Sequence, residues 1–138
     1  MLKVLLASHG TLAKAMKETA AFLLGENENV HTLCAYVDEA SMNLSSLVDA
    51  WSSGRKENET WVVMTDLFGG SVNNEFMNRL PGDDYFLIAG MNLPLVISVL
   101  SEDEALDCGK LRQVAEDAGE MLVYCNDLLT EAADDEEF

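Results

Sequence analysis

The chain reads as an α/β protein, a three-layer sandwich on a mainly parallel, doubly wound sheet of expected strand order 2-1-3-4, with a short extra strand near the C-terminus. Three observations predict this. Apolar runs of strand length alternate with segments whose apolar residues recur at helical spacing. The runs end in glycine or in small or acidic residues of the kind that turn a chain. Strict alternation then implies parallel pairing through right-handed crossovers, with helices on both faces of the sheet.

The first strand is Lys3-Val-Leu-Leu-Ala-Ser-His9, an apolar run that stops at an imidazole followed by Gly10. Leu12, Met16, Ala20, Leu23 and Leu24 mark a first helix over residues 11–24, stopped by Gly25. Residues 30–36 form the second strand. Ser41 is the expected N-cap of a second helix whose apolar face is Leu44, Leu47, Val48 and Trp51, closed by Gly54-Arg55-Lys56. Residues 61–65 are the third strand, ending at Asp66. Leu67-Phe-Gly-Gly-Ser71 is a tight loop in which Ser71 caps a third helix running to Leu80. Pro81-Gly82-Asp83 turns the chain into a fourth strand at 85–89. Gly90-Met-Asn-Leu-Pro94 opens a fourth helix, with Pro94 in its first turn. Leu111, Val114, Ala115 and Ala118 define a fifth helix ending at Gly119, and residues 121–125 read as a short final strand. One domain over 1–128 followed by an acidic, disordered tail at 129–138 is expected.

Composition narrows the function. Twenty-five acids against 8 bases leave a net charge of −17, which excludes nucleic acid as a natural partner and favours basic ones. Part of this charge is local, since residues 131–138 hold five acids. No apolar run is long enough for a membrane span, and no signal peptide is read at the N-terminus. The odd set Cys34, Cys108 and Cys125 contains no C-x-x-C pair, as expected of a reduced, cytoplasmic protein.

The chemistry collects where the first and third strands end. In such a sheet these two strands flank the point where the winding reverses, so His9 and Asp66 meet in one crevice. A carboxylate that accepts from one imidazole nitrogen sets the tautomer and leaves the other nitrogen free to attack. Gly69-Gly70-Ser71 then lets backbone approach a ligand, and its N–H groups and the Ser71 hydroxyl suit an anion. Neither loop carries Lys or Arg, and no Walker lysine or metal-binding carboxylate cluster accompanies them. No cofactor or metal is expected. A phosphoryl group carried on histidine fits this set, with His9 and Asp66 catalytic and Ser71, Gly70 and Gly10 as phosphoryl-binding positions.

Three motifs resemble one known family: Ser8-His9-Gly10, Thr65-Asp66-Leu-Phe-Gly-Gly-Ser71 and Gly90-Met-Asn-Leu-Pro94. In order and spacing they are similar to the IIA domains of the mannose class of the bacterial sugar phosphotransferase system (PTS), over roughly residues 1–128. The related domains of dihydroxyacetone kinase phosphotransferases carry a methionine-containing loop in place of D-L-F-G-G-S. The resemblance implies that His9 accepts a phosphoryl group on Nε2 from phospho-HPr, whose basic face suits an acidic surface, and passes it to a IIB component for sugar uptake. It also implies that Asp66 orients the ring through Nδ1 and that Ser71 contacts the phosphoryl group. Contact with the membrane would be indirect, through the IIC/IID permease. Family members form homodimers, in some of which the final strand crosses to the partner's sheet, a part that residues 121–125 are placed to play. With no IIB sequence following, the IIB partner is expected on a separate chain unless the sequence is a fragment. Phe68 stands where some relatives have tryptophan, which keeps an apolar rim.

Other residues read as structural. His31 lies near the start of the second strand, far from the crevice, and Trp51 and Trp61 read as packing. Arg79 suits a helix C-terminus. Two rival functions use the same histidine: a regulatory module whose phosphorylation controls a partner, and a hydrolase with His9 as general base.

Overall fold

The computed structural model describes residues 1–102 and 105–129. The acidic tail expected at 129–138 lies, apart from Leu129, outside the described residues. The elements are β1 (Leu2–His9), α1 (Leu12–Leu24), β2 (Val30–Ala35), α2 (Leu44–Ser53), β3 (Thr60–Thr65), α3 (Ser71–Arg79), β4 (Phe86–Ala89), α4 (Leu93–Leu100) and α5 (Cys108–Gly119), with a 3₁₀ turn at Leu80–Gly82. All pairings are parallel, in the order β2-β1-β3-β4.

Both faces of the sheet are buried, so strand side chains of opposite parity serve two cores. Val4 and Leu6 of β1 and Val62 and Met64 of β3 face a core shared with α1, α4 and α5. Leu5, Ala7, Trp61 and Val63 face the other, shared with α2 and α3. The winding explains this division. From β1 the chain steps to β2 on one side, then crosses back over β1 to β3 and onward to β4. A right-handed crossover must change face when its direction changes, so α1 lies on one face and α2 and α3 on the other. The outgoing connections of β1 and β3 therefore diverge, opening a crevice at their carboxyl ends.

Several elements depart from expectation in informative ways. The buried face of α1 is Ala13 and Ala20, with Met16 packed beside them. Leu12, Leu23 and Leu24 lie off that face and are exposed. Asn43, not Ser41, caps α2 by accepting from the Ser46 N–H. Ser41 is buried and uses its Oγ to accept the N–H groups of Val37 and Asp38. The N-cap of α3 is Gly70, and Ser71 is already helical. The final strand expected at 121–125 is not part of this chain's sheet: residues 122–124 carry no regular structure, and 125–129 are helical. Met121, Leu122 and Tyr124 of this stretch stand exposed. No helix among the described residues is long and apolar enough to cross a membrane.

Candidate functional site

The register sets Ala7 of β1 opposite Thr65 of β3. His9 and Asp66 follow those residues and meet across the crevice. Asp66 Oδ2 accepts both the His9 backbone N–H, at 2.8 Å, and Nδ1 of its ring, at 2.9 Å. Oδ1 accepts the Leu67 N–H at 2.9 Å. Burial works against a charge on this carboxyl, but these bonds from His9 and Leu67 outweigh it and hold Asp66 below the ordinary aspartate range. Asp66 is therefore ionised at neutral pH and can only accept. In the neutral imidazole, Nδ1 must then carry the proton, and Nε2 keeps its lone pair.

Nε2 lies 3.0 Å from Ser71 Oγ. With a lone pair on the nitrogen, the serine is the donor. The hydroxyl read from sequence as a helix cap is thus committed to the imidazole, while extended backbone at Gly70 opens the helix. The His9 side chain is 41% exposed and that of Asp66 11%. One edge of the ring is gripped from within and the other is accessible.

Backbone detail brings the ring and loop this close. A Cβ on Gly70 would lie 3.3 Å from His9 Cε1 and 3.2 Å from the Leu67 carbonyl oxygen, so glycine permits the approach of α3 to the imidazole. Gly10 turns the chain at φ +61, and its N–H donates to the Ala35 carbonyl at 2.8 Å. That donor is spent on the neighbouring strand, which leaves Gly10 a conformational part in this structure.

Four residues have roles at the site that the sequence does not assign. Ser8, fully buried, accepts the Ala13 N–H and ties the His9 turn to α1. Asn73, also buried, accepts from Gly69 N–H and donates to Thr65 Oγ1, bracing the loop against β3. Asn74 donates to the Gly69 carbonyl. An Asn pair after a glycine loop at a helix start is a signal that loop bracing could have supplied. The fourth is Tyr36, whose hydroxyl lies 3.1 Å from Ser71 Oγ and whose ring is 5.6 Å from that of His9. Among the described non-glycine residues it alone has positive φ, at 66°. For a bulky side chain such a backbone costs roughly 1–3 kcal/mol and persists only where its surroundings impose it. The third sequence motif also finds its place: the Met91 N–H donates to the Thr65 carbonyl, fixing the strand end from which Asp66 projects.

The family model described as the PTS system fructose IIA component matches residues 3–116. The chain belongs to this IIA family. As a PTS IIA phosphotransferase component, it transfers phosphoryl groups within the phosphotransferase cascade, whose general partners are HPr, IIB and the IIC/IID permease. This IIA domain is 27% identical over 107 residues to the fructose-specific EIIA component of Bacillus subtilis, covering 77% of this chain and 73% of that one. It is 27% identical over 101 residues to the mannose-specific EIIAB component of Escherichia coli, spanning 30% of that longer protein. A PTS protein of known structure from Klebsiella pneumoniae is 34% identical, with a TM-score of 0.85 over 93% of both chains. The PTS IIA protein associated with the fucose utilization operon of Streptococcus pneumoniae is 25% identical, with a TM-score of 0.76 over 93% of this chain and 96% of that one.

The remaining candidates are structural. His31 sits beside Trp61, the rings tilted with centroids 5.3 Å apart. Trp51 packs edge-on against Trp61, Phe76 and Tyr85, with the Arg55 guanidinium 4.4 Å from its ring centre. Arg79 bonds Glu75 on its own helix and Asp49 and Ser45 on α2, joining the two helices on that face. Among the described residues no three His, Cys, Asp or Glu side chains are grouped to hold a metal.

Proposed function

We propose that this IIA domain accepts a phosphoryl group on His9 Nε2 from the phosphohistidine of HPr and passes it to a IIB component. The observation that carries this reading is the division of labour on one ring: Asp66 holds Nδ1, and Nε2 faces an accessible crevice beside a hydroxyl. In the transfer the Nε2 lone pair forms the new N–P bond as the donor's N–P bond breaks, its electron pair returning to the donor imidazole. The Nδ1 proton stays in its bond to Asp66, whose charge stabilises the substituted ring. In this reading Ser71 Oγ, 3.0 Å from Nε2, donates to a phosphoryl oxygen, and the helix behind it begins with N–H groups that favour an anion. No lysine or arginine takes part, so the phosphoryl group is held by neutral donors and stays transferable.

Leu12, which opens α1, and Tyr36, Val37, Met42, Leu67 and Phe68 on the loops are exposed at this end of the sheet. They form an apolar rim suited to two successive protein partners, while the net charge of −17 favours a basic one. The reading includes a homodimer in which residues 121–125 of each chain pair with the other's sheet. Its support is the exposed apolar residues at 121–124 and 128–129 and the outer edge of β4, unpaired among the described residues, which lines a groove with Phe68, Met77 and Leu111.

Intact mass after mixing with phosphoenolpyruvate, the general phosphotransferase enzyme and HPr tests the carrier role. The expected result is one acid-labile phosphate-sized increment that passes on when IIB is added. An unchanged mass, or a stable phospho-form that IIB does not discharge, contradicts it. Truncation after residue 120 should yield a monomer by light scattering if the C-terminal segment holds the dimer.

A further inference from the structure

The site contains one more hydroxyl than the transfer just described uses. Tyr36 leaves β2 in a left-handed backbone and places its phenol against Ser71 Oγ. The loop after it sustains that conformation: the Tyr36 N–H donates to the Ser41 carbonyl, while Ser41 Oγ collects the next two N–H groups. A second tie comes from Gly10, whose N–H reaches the carbonyl of Ala35, the residue before Tyr36.

Counting protons gives the hydroxyls a direction. Asp66 accepts from Nδ1, so Nε2 of the neutral ring accepts from Ser71. A serine hydroxyl has one proton, and here it is committed to Nε2. Tyr36 is therefore the donor in its bond to Ser71 Oγ. The result is a one-way chain, Tyr36 to Ser71 to His9 to Asp66, in which every proton has a single place.

We propose that Tyr36 is a positioning residue for phosphoryl transfer, acting through Ser71. This inference rests on the carrier reading above and extends it. In the free protein the phenol holds the Ser71 proton on Nε2. Once Nε2 carries phosphorus its lone pair is gone, and the same constraint directs the Ser71 proton to a phosphoryl oxygen. The ring of Tyr36, tilted beside the imidazole, also screens one side of the phosphohistidine from water.

Phosphoramidate separates this role from partner docking, because it charges histidine without another protein. The Nε2 lone pair attacks phosphorus, and the P–N bond pair leaves with ammonia. The test compares wild type, Tyr36→Phe, Ser71→Ala and the double variant. Loss of the phosphate increment from the His9 peptide is followed at neutral pH, together with the ¹⁵N shift of Nε2 in the free protein. Tyr36→Phe keeps the ring and removes only the hydroxyl. It should hydrolyse about threefold to tenfold faster than wild type, the range for one neutral hydrogen bond, and its Nε2 shift should move toward that of an unbonded imidazole. In the Ser71→Ala background the same change should add nothing, since the effect runs through Ser71. Equal hydrolysis rates for wild type and Tyr36→Phe, or an equal penalty with and without Ser71, would overturn the proposal. Failure of wild type to charge on His9 would instead overturn the carrier reading on which it stands.

Discussion

His9 ends β1, and His31 lies one residue into the neighbouring β2, near the other end of the same sheet. Both are exposed imidazoles on parallel strands, yet their surroundings differ in kind. His9 has a carboxylate on one ring nitrogen and a hydroxyl on the other. His31 sits tilted against the Trp61 ring, and its charged form is disfavoured by burial and then by Lys3 and Lys17, with Glu59 opposing. Strand geometry explains the contrast. At the carboxyl end the connections from β1 and β3 diverge and leave a polar crevice between them. Where His31 sits, it has an aromatic ring and basic neighbours instead. A histidine in this fold therefore acquires its chemistry from the end of the sheet it occupies.

Exchanging the two residues' fates is the strongest way to break that comparison. His9→Ala should abolish the phosphate-sized mass increment from phospho-HPr, and His31→Ala should retain it at the wild-type rate. Labelling that survives the first change or is lost in the second would remove the distinction. Next in size is Asp66→Asn, which keeps the shape and removes the charge. Hydrogen bonds to charged groups are worth about 1.5–3 kcal/mol, so the phosphorylation rate should fall roughly tenfold to hundredfold, as read in stopped time courses by intact mass. The same carboxylate links folding to pH. Its folded value is depressed, so its stabilisation is complete above the ordinary aspartate value of 3.8 and fades as pH falls through the folded value. Acid unfolding followed by circular dichroism should show a shallower loss in Asp66→Asn.

A smaller effect sharpens the account of the crevice. In Gly70→Ala the new Cβ must displace the His9 ring or the Leu67 carbonyl. Gly70 has an ordinary backbone conformation, so alanine gains about 0.4–1 kcal/mol from the unfolded state, which offsets the crowding. Melting temperature should change little while phosphorylation slows several-fold. Equal slowing and destabilisation would show that the loop, not the ring, yields. The smallest effect belongs to His31. With its folded value below the ordinary 6.5, the unfolded chain takes up the proton first as pH falls, so wild-type stability declines from that value downward. His31→Phe, which keeps a ring on Trp61, should flatten that decline in melts taken at successive pH values.

The division between what residues reveal and what only packing reveals runs through the same site. Strand-length apolar runs and helical spacing are local, and among the described residues they locate β1 to β4 and α1 to α5, though not the helical turn at 125–129. His9 and Asp66 could be paired in advance because the winding of a parallel sheet forces the ends of its first and third strands together. The cap role that local chemistry suggests for Ser71 falls to Gly70 instead, because its hydroxyl is engaged by partners 62 and 35 residues away. Tyr36 gave no signal, since a left-handed backbone at a non-glycine residue is imposed by the loop around it. The run at 121–125 has strand-like residues, but a strand needs an edge beside it, and that is a property of the assembled sheet.

The central claim concerns a single atom. Charging the ¹⁵N-labelled protein from phospho-HPr and reading the phosphorus–nitrogen coupling by NMR identifies the substituted nitrogen directly. Coupling to Nε2 of His9, with Nδ1 still protonated and bonded to Asp66, is the result this account predicts. Coupling to Nδ1, or phosphorus on any other residue, would contradict it.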